Sequence, residues 1–303
     1  MRLSGKTIIF FFIMIITAFI LSIYTVPYET YGILLTVIAV TASTALISFI
    51  FSVITGDYSW TDRLWSISPI AYAWMYAYAG SFNPTVTLAA VLVTLWGARL
   101  TFNFARRDGY SGNEDYRWKI LHQKIFHPVA WIAFDLLFIA FYQQFLFICF
   151  TLPLYVLSQN RSDMINLPAL IAAAFVLLFL TIETIADQQQ YDFQMAKYGL
   201  LPRKDNMKDE YERGFRTSGL FSLSRHPNYL GELGVWWSIY FLGVSVTESF
   251  LHWSIIGPVM LTLLFIGSTV FTENITRKKY PEYDRYREQV WPILPKFRSE
   301  RDY

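Results

Sequence analysis

The chain has a single cysteine, Cys149, set inside an apolar run. No disulfide can form within one copy, and no cysteine zinc site can be assembled. Charge is scarce: 16% of the 303 residues are Asp, Glu, Lys or Arg, against about 25% in an ordinary soluble domain. There is no Gly-x-Gly-x-x-Gly and no Walker A loop, so any nucleotide site here is neither a Rossmann nor a P-loop site. Internal repeats and low-complexity segments are missing too. The four histidines (His122, His127, His226, His252) are scattered. His122 and His127 are five apart, off the i,i+4 spacing of a helical metal pair, so no protein metal site is expected.

What remains is hydrophobic: 54% apolar residues, 18% aromatic, with a mean hydropathy of +0.33. The few charges are bunched between long uncharged stretches, the mark of segments that live in lipid. A helix needs about 20 apolar residues to cross the hydrocarbon core. Eight segments qualify: 7–26, 31–54, 64–80, 85–104, 129–157, 167–186, 229–246 and 251–271. The third, with Pro69, and the fifth, with Asp135 and Pro153, are the least regular. Pro168 suits the first position of the sixth helix. The first segment, behind Arg2 and Lys6, is longer than a signal-peptide core and no small-x-small cleavage site follows it; it reads as a retained anchor.

Basic residues give an independent check. With eight spans and the amino terminus inside, 24 of the 25 lysines and arginines fall on one side, and Arg161 alone falls on the other. That is the asymmetry of cytosolic loops. Fold class follows: all-α, a polytopic membrane bundle of about eight transmembrane helices with both termini cytosolic. Residues 1–54 form an N-terminal transmembrane hairpin and 55–303 the main membrane domain. The outer loops are short, so polar chemistry is expected at the cytosolic face. Asn160-Arg161-Ser162 is a glycosylation sequon on the outer side.

The most informative run is Ser224-Arg225-His226-Pro227-Asn228-Tyr229-Leu230-Gly231-Glu232. Pro227 suits a first helical position, and helix N-termini attract anions. Arg225 and His226 at that end make a phosphate site, or simply an interfacial anchor on lipid phosphate. Asn228 and Glu232 are four apart and share a face, with Glu232 about one turn into the bilayer, where ionisable groups are costly and usually functional. Glu183 and Asp187 are also four apart, with Gln190 and Gln194 following. They suit ribose hydroxyls, or only a polar helix end. Glu273 and Arg277 read as an i,i+4 pair, and Lys279, Tyr283, Tyr286 and Val290 as one stripe, able to hold a phosphate and stack a base or to lie on anionic lipid. Arg99, inside a span, needs a partner; Asp57 or Asp62 could supply it. Trp60 and Trp65 read as interfacial residues.

The run Gly219–Glu232, with Glu183-x-x-x-Asp187-x-Gln189 before it and Glu273, Tyr283, Tyr286 and Leu294-Pro295 after it, resembles the DUF1295 branch of the steroid 5-alpha-reductase-like membrane family. Arg99–Arg107 and Glu114–Trp118 look like the same branch. The resemblance covers about residues 55–298, leaving the first span as an addition. It implies an NADPH pocket built from the C-terminal helices and open to the cytosol. Asn228 and the catalytic Glu232 would face nicotinamide and substrate; Asp187, Arg225, His226, Tyr229, Arg277 and Tyr286 would bind the cofactor. The tyrosine that pairs with the active-site glutamate in steroid reductases has no match here.

The implied chemistry is hydride transfer to a double bond conjugated with a carbonyl, in a flat lipophilic substrate such as a sterol, an isoprenoid or an acyl chain. A buried, protonated Glu232 would hydrogen-bond the carbonyl oxygen as negative charge develops there. S-adenosylmethionine-dependent methyltransferases of isoprenylcysteine and phospholipids share an Arg-His-Pro-x-Tyr-x-Gly element and a similar tail. They usually lack the Asn and the Glu, so Asn228 and Glu232 favour the reductase. A non-catalytic lipid-binding protein is the third reading. The expected partners are the lipid bilayer and a lipophilic small molecule, not nucleic acid.

Overall fold

The computed structural model describes residues 4–160, 163–247 and 249–296. Arg2 and the last two residues of the sequon, Arg161 and Ser162, lie outside them. The described chain is helical: α1 Gly5–Thr25, α2 Tyr28–Tyr31, α3 Ile33–Thr55, α4 Ser68–Ala79, α5 Pro84–Ala105, α6 Tyr116–Lys124, α7 Pro128–Phe134, a π-helical stretch Asp135–Tyr142, α8 Gln143–Gln159, α9 Leu167–Lys197, α10 Lys208–Arg213, α11 Pro227–Val244, α12 Ile256–Lys279 and α13 Tyr283–Gln289. The only β pairing among the described residues is one isolated bridge, Ser224 with Trp291.

Six helical segments among the described residues, not eight, are long and apolar enough to cross a membrane: Gly5–Thr25, Ile33–Thr55, Pro84–Ala105, Pro128–Gln159, Leu167–Lys197 and Trp253–Lys279. The expected third and seventh spans are helices as well. But α4 has 12 residues, and the 18 of α11 are diluted by Asn228, Gly231, Glu232 and Gly234. The irregularities flagged in the sequence have physical outcomes. Pro69 starts α4 instead of kinking it, because a missing N–H costs nothing in the first turn. Asp135 opens the π-helical stretch, while Pro153 is accommodated within α8. Pro84 and Pro227 each open a helix. The sixth helix begins one residue before Pro168, and the Asn166 side chain accepts from the Ala169 N–H at 2.8 Å.

The chain divides into two compact units: Met1–Leu170 with Ile239–Gly257, and Ile171–Ser238 with Pro258–Tyr303. In the first unit α1 packs on α3 through Phe11, whose ring lies 5.1 Å from Phe51 and 4.4 Å from Trp60, and through Ser22 and Ser43, 2.9 Å apart. Trp60 is fully buried, so it is core and not an interfacial residue. Asp57, expected as a partner for Arg99, is instead held by Arg63 at 2.6 Å, and Asp62 accepts the Trp118 indole N–H at 2.7 Å. These partners lie six and 56 residues away in sequence.

The second unit contains most of α9, the first two turns and more of α11, most of α12, and everything after it. Its helices α9 and α11 meet where glycine removes the side chain. A Cβ on Gly231 would collide with the backbone and Cβ of Glu183, and one on Gly234 with the Phe179 ring. The spacing of three on one helix and four on the other is that of a shared helical face.

Candidate functional site

The element read from the sequence forms the head of α11 and the turn before it, in the second unit. Ser224 is tied by its backbone bridge to Trp291 and by its hydroxyl to the Ile293 carbonyl at 2.7 Å. The backbone N–H groups of Arg225 and His226 donate to the carbonyls of Trp291 and Pro292, both at 2.9 Å. The residues after α13 thus run beside this turn and fix its path.

At the centre is Glu273, on α12. Arg225 grips it in a two-pronged pair, Nε to Oε1 at 2.7 Å and Nη2 to Oε2 at 3.0 Å. Arg287 donates to Oε2 at 3.0 Å, and His226 meets Oε1 through Nε2 at 3.0 Å. A carboxylate only accepts, so the imidazole proton sits on Nε2. The remaining Arg225 nitrogen donates to the carbonyls of Arg287 and Val290. Every nitrogen of that guanidinium is therefore engaged by protein, and Arg225 itself is buried. In this geometry Arg225 fastens α11, α12 and the tail together.

The expected Glu273–Arg277 pair does not form. Glu273 is turned inward to Arg225, and Arg277 pairs across the surface with Asp284, Nε to Oδ1 at 2.6 Å. The stripe on the tail resolves differently too. Tyr283, Tyr286 and Val290 are buried together against Phe215, and the Tyr286 hydroxyl donates to the Phe221 carbonyl. They form a small core under the turn. Lys279, at the end of α12, is exposed.

Three carboxylates on α9 and α11 are buried. Glu183, Asp187 and Glu232 are 3%, 5% and 4% exposed. Glu183 packs against Gly231, the neighbour of Glu232, and Asp187 is one turn further along α9. Glu232 accepts the Trp236 indole N–H at 3.2 Å, one turn down its own helix. Asn228, one turn the other way, is partly buried and makes no hydrogen bond with the described residues. The Tyr229 ring stacks on His226 at 5.0 Å and meets Phe265 edge-on at 4.7 Å. Gln189, in the second turn after Glu183, accepts the Leu220 N–H through its side chain at 3.0 Å, and its backbone carbonyl accepts from Arg216 at 2.7 Å.

The sequence did not single out the stretch between α9 and the motif. There, α10 and the chain up to Ser222 enclose a cleft of about 610 Å³, with Asn206, Lys208, Glu210, Arg213, Ser218 and Ser222 among its walls. Glu210 is buried and takes a hydrogen bond from Thr217 on one oxygen; its other oxygen and the Arg213 Nε have no partner among the described residues. Only a dense run of charge over 208–213, three acidic residues between Lys208 and Arg213, marks this stretch in the sequence, and solvated loops share that pattern.

Of the eight residues expected to act, Arg225, His226 and Tyr229 are brought together around the head of α11, with Asn228 and Glu232 along it. Asp187 lies on α9, Tyr286 is buried beneath the turn, and Arg277 is at the surface.

The chain is 34% identical over 271 residues to an uncharacterized protein of Schizosaccharomyces pombe, covering 83% of this chain and 78% of that one. No solved structure matches. The profile of DUF1295, described as a protein of unknown function, matches residues 48–290, from late α3 through α13 to Val290, and the chain belongs to that family.

Proposed function

We propose that this protein is a membrane oxidoreductase that uses NADPH to reduce an activated carbon–carbon double bond of a lipophilic substrate. The observation that carries the reading is a set of buried carboxylates: Glu183 where α9 closes on Gly231, Glu232 beside that glycine, and Asp187 one turn along α9. Hydroxyls and amides are enough to hold apolar helices together, whereas buried carboxylates cost several kcal/mol and persist where chemistry uses them, at roughly 2.5–3.5 kcal/mol each by insertion scales.

The residues present fit a dinucleotide. The cleft at 205–222 falls within the roughly 300–1,000 Å³ of small-molecule sites, and its unpartnered Glu210 oxygen and Arg213 Nε are an acceptor and a donor for a hydroxyl-bearing anion. Lys208 and Arg213 would hold phosphate and Glu210 a ribose hydroxyl. His226 and Tyr229, stacked at the head of α11, and Asn228 beyond them would orient the nicotinamide end. Bound there, NADPH supplies a hydride. Glu232, in its acid form, would donate a hydrogen bond to the substrate carbonyl oxygen, so that negative charge arriving on that oxygen is met by a placed donor. Trp236, bonded to Oε1, holds the carboxyl orientation. With the hydride delivered to the β carbon, the α carbon would take its proton from solvent, leaving the saturated ketone, while Glu232 keeps its own proton on the hydrogen bond to the carbonyl oxygen. Arg225 acts indirectly, by keeping the turn in place through Glu273.

The distribution of lysines and arginines supports eight crossing segments, counting α4 and α11, with this site facing the cytosol. The test is titration calorimetry on the purified full chain in detergent, with NADPH and with S-adenosylmethionine. Saturable micromolar binding of NADPH is expected. Binding of S-adenosylmethionine alone would make the protein a methyltransferase, and binding of neither a lipid-binding scaffold.

A further inference from the structure

One carboxyl group in the first unit is unused by this reading. Asp135 opens the π-helical stretch, is 1% exposed, and lies inside the segment Pro128–Gln159. Its Oδ2 accepts the Ser52 hydroxyl of α3 at 2.5 Å. Its Oδ1 has no hydrogen-bond partner among the described residues, and no lysine, arginine or histidine among them pairs with it. π-Helical turns are rare and concentrate at functional sites.

Asp135 stands at one end of a polar line. On α3, Thr41, Thr44, Ser48 and Ser52 are all buried. Thr41 bonds the Tyr72 hydroxyl at 2.9 Å, Thr44 bonds Gln144 Oε1 at 2.9 Å, and Gln144 Nε2 bonds Ser48 at 3.3 Å. The spacing keeps them on one face, and 11 residues of helix run about 16 Å, half the hydrocarbon thickness of about 30 Å. Neutral bonds of this kind hold helices together. A carboxyl differs because it can gain or lose a charge. As an anion, Asp135 would be buried with one hydrogen bond and no counter-charge, a state that costs far more than taking up a proton.

We propose that Asp135 is a proton-binding site within the membrane-spanning helices, carrying a proton on Oδ1 at neutral pH, at the end of the α3 hydroxyl line. The titratable groups around it are consistent with a lone neutral acid. Helix α3 has no charged residue, α7 has none, and α8 offers only Cys149 and Tyr155, neither of them a cation. The π stretch adds Tyr142. From the loop after α3 comes Tyr58, itself bound through its N–H to Glu114 at 3.1 Å, and from α6 comes His122, stacked on Trp131 at 4.3 Å. None of these is a cation paired with Asp135.

The test is infrared spectroscopy of the full chain, with carbon-13 aspartate, in phosphatidylcholine vesicles between about pH 5 and pH 9, well above the ordinary aspartate value of about 3.9. An Asp62→Asn background removes a second partly protonated aspartate. The expected result is a carboxylic-acid carbonyl band at neutral pH that shifts with the label and fades as pH rises. It should disappear in Asp135→Asn and move to higher frequency in Ser52→Ala, which keeps the acid but loses its hydrogen bond. Absence of any such band at neutral pH overturns the proposal. So does a band unchanged in both variants, or one abolished at constant pH by sodium or potassium, which would make this a metal-cation site.

Discussion

Arg225 and Glu273, 48 residues apart, meet edge to edge, with Nε on Oε1 at 2.7 Å and Nη2 on Oε2 at 3.0 Å. Both are nearly excluded from solvent. Breaking a buried pair costs about 3–5 kcal/mol where nothing else meets the charge left behind; Glu273 keeps Arg287 and His226, which places the loss toward the low end of that range. Arg225→Met is therefore expected to release the tail, seen as faster proteolysis after residue 279 and a lower Tm in detergent. Replacing both, as Arg225→Met with Glu273→Leu, should recover much of the Tm, since it leaves no unpaired ion. A double variant no better than the single one would mean that three other bonds, from Arg225 to the Arg287 and Val290 carbonyls and from Arg287 to Glu273, matter more than the charge.

Gly231→Ala is expected to lower Tm clearly, by about 1–3 kcal/mol of overpacking, because the new methyl meets the backbone of Glu183. Gly234→Ala meets only the Phe179 ring, which can turn aside, and should cost less. Gly267→Ala, on α12, meets nothing within 4 Å and should be neutral or stabilising, as helical Gly-to-Ala changes are where space allows. Equal effects at all three positions would refute the close α9–α11 contact.

Glu232→Gln keeps an oxygen for the Trp236 N–H but removes the acidic proton. Under the proposed chemistry, turnover should fall by about 10²-fold or more, while the affinity for NADPH, read by calorimetry, changes only slightly. Parallel loss of both would reduce Glu232 to a residue that shapes the pocket.

Asp62, in the turn between α3 and α4, gives a pH dependence. Burial, reinforced by the neighbouring Asp115 carboxylate, pushes it up to about 6, against the opposing pull of Arg117 and the bonds from Trp118 and Ser59. Burial also raises Glu114. A carboxyl raised on folding favours the folded state most below its unfolded value and loses that contribution as pH climbs through its folded value. Hydrogen-exchange protection of residues 57–66 and 115–120, corrected for intrinsic rates, should therefore grow as pH falls from about 7 to about 5. Asp62→Asn, which keeps an acceptor for Trp118, should flatten that change.

Much of this was legible in the sequence because its causes are local. The long apolar runs became α1, α3, α5, α9 and α12 nearly where expected, and Pro227 and the 224–232 element marked the head of α11. The count of spans was less secure, since α4 is short and α11 carries the polar residues of the site itself. The pairing of charges was not legible. Glu273 has Arg277 four residues on, the partner that helical spacing favours, yet it takes Arg225 and His226 from the turn before α11 and Arg287 from α13. The tail stripe has the right period and was assigned a ligand or lipid, where Phe215, 68 residues before Tyr283, is what it covers. The cleft at 205–222 depends on the folding back of α10, which no periodicity announces.

The bridge from Ser224 to Trp291 has a temporal consequence. During synthesis the turn at 224–226 emerges more than 60 residues before the segment that braces it, and the two arginines that close on Glu273 likewise arrive at different times. The motif must therefore wait, half organised, until translation has passed residue 291. A fusion or truncation that disturbs residues 283–296 would then act as a lesion in the turn itself, far away along the chain.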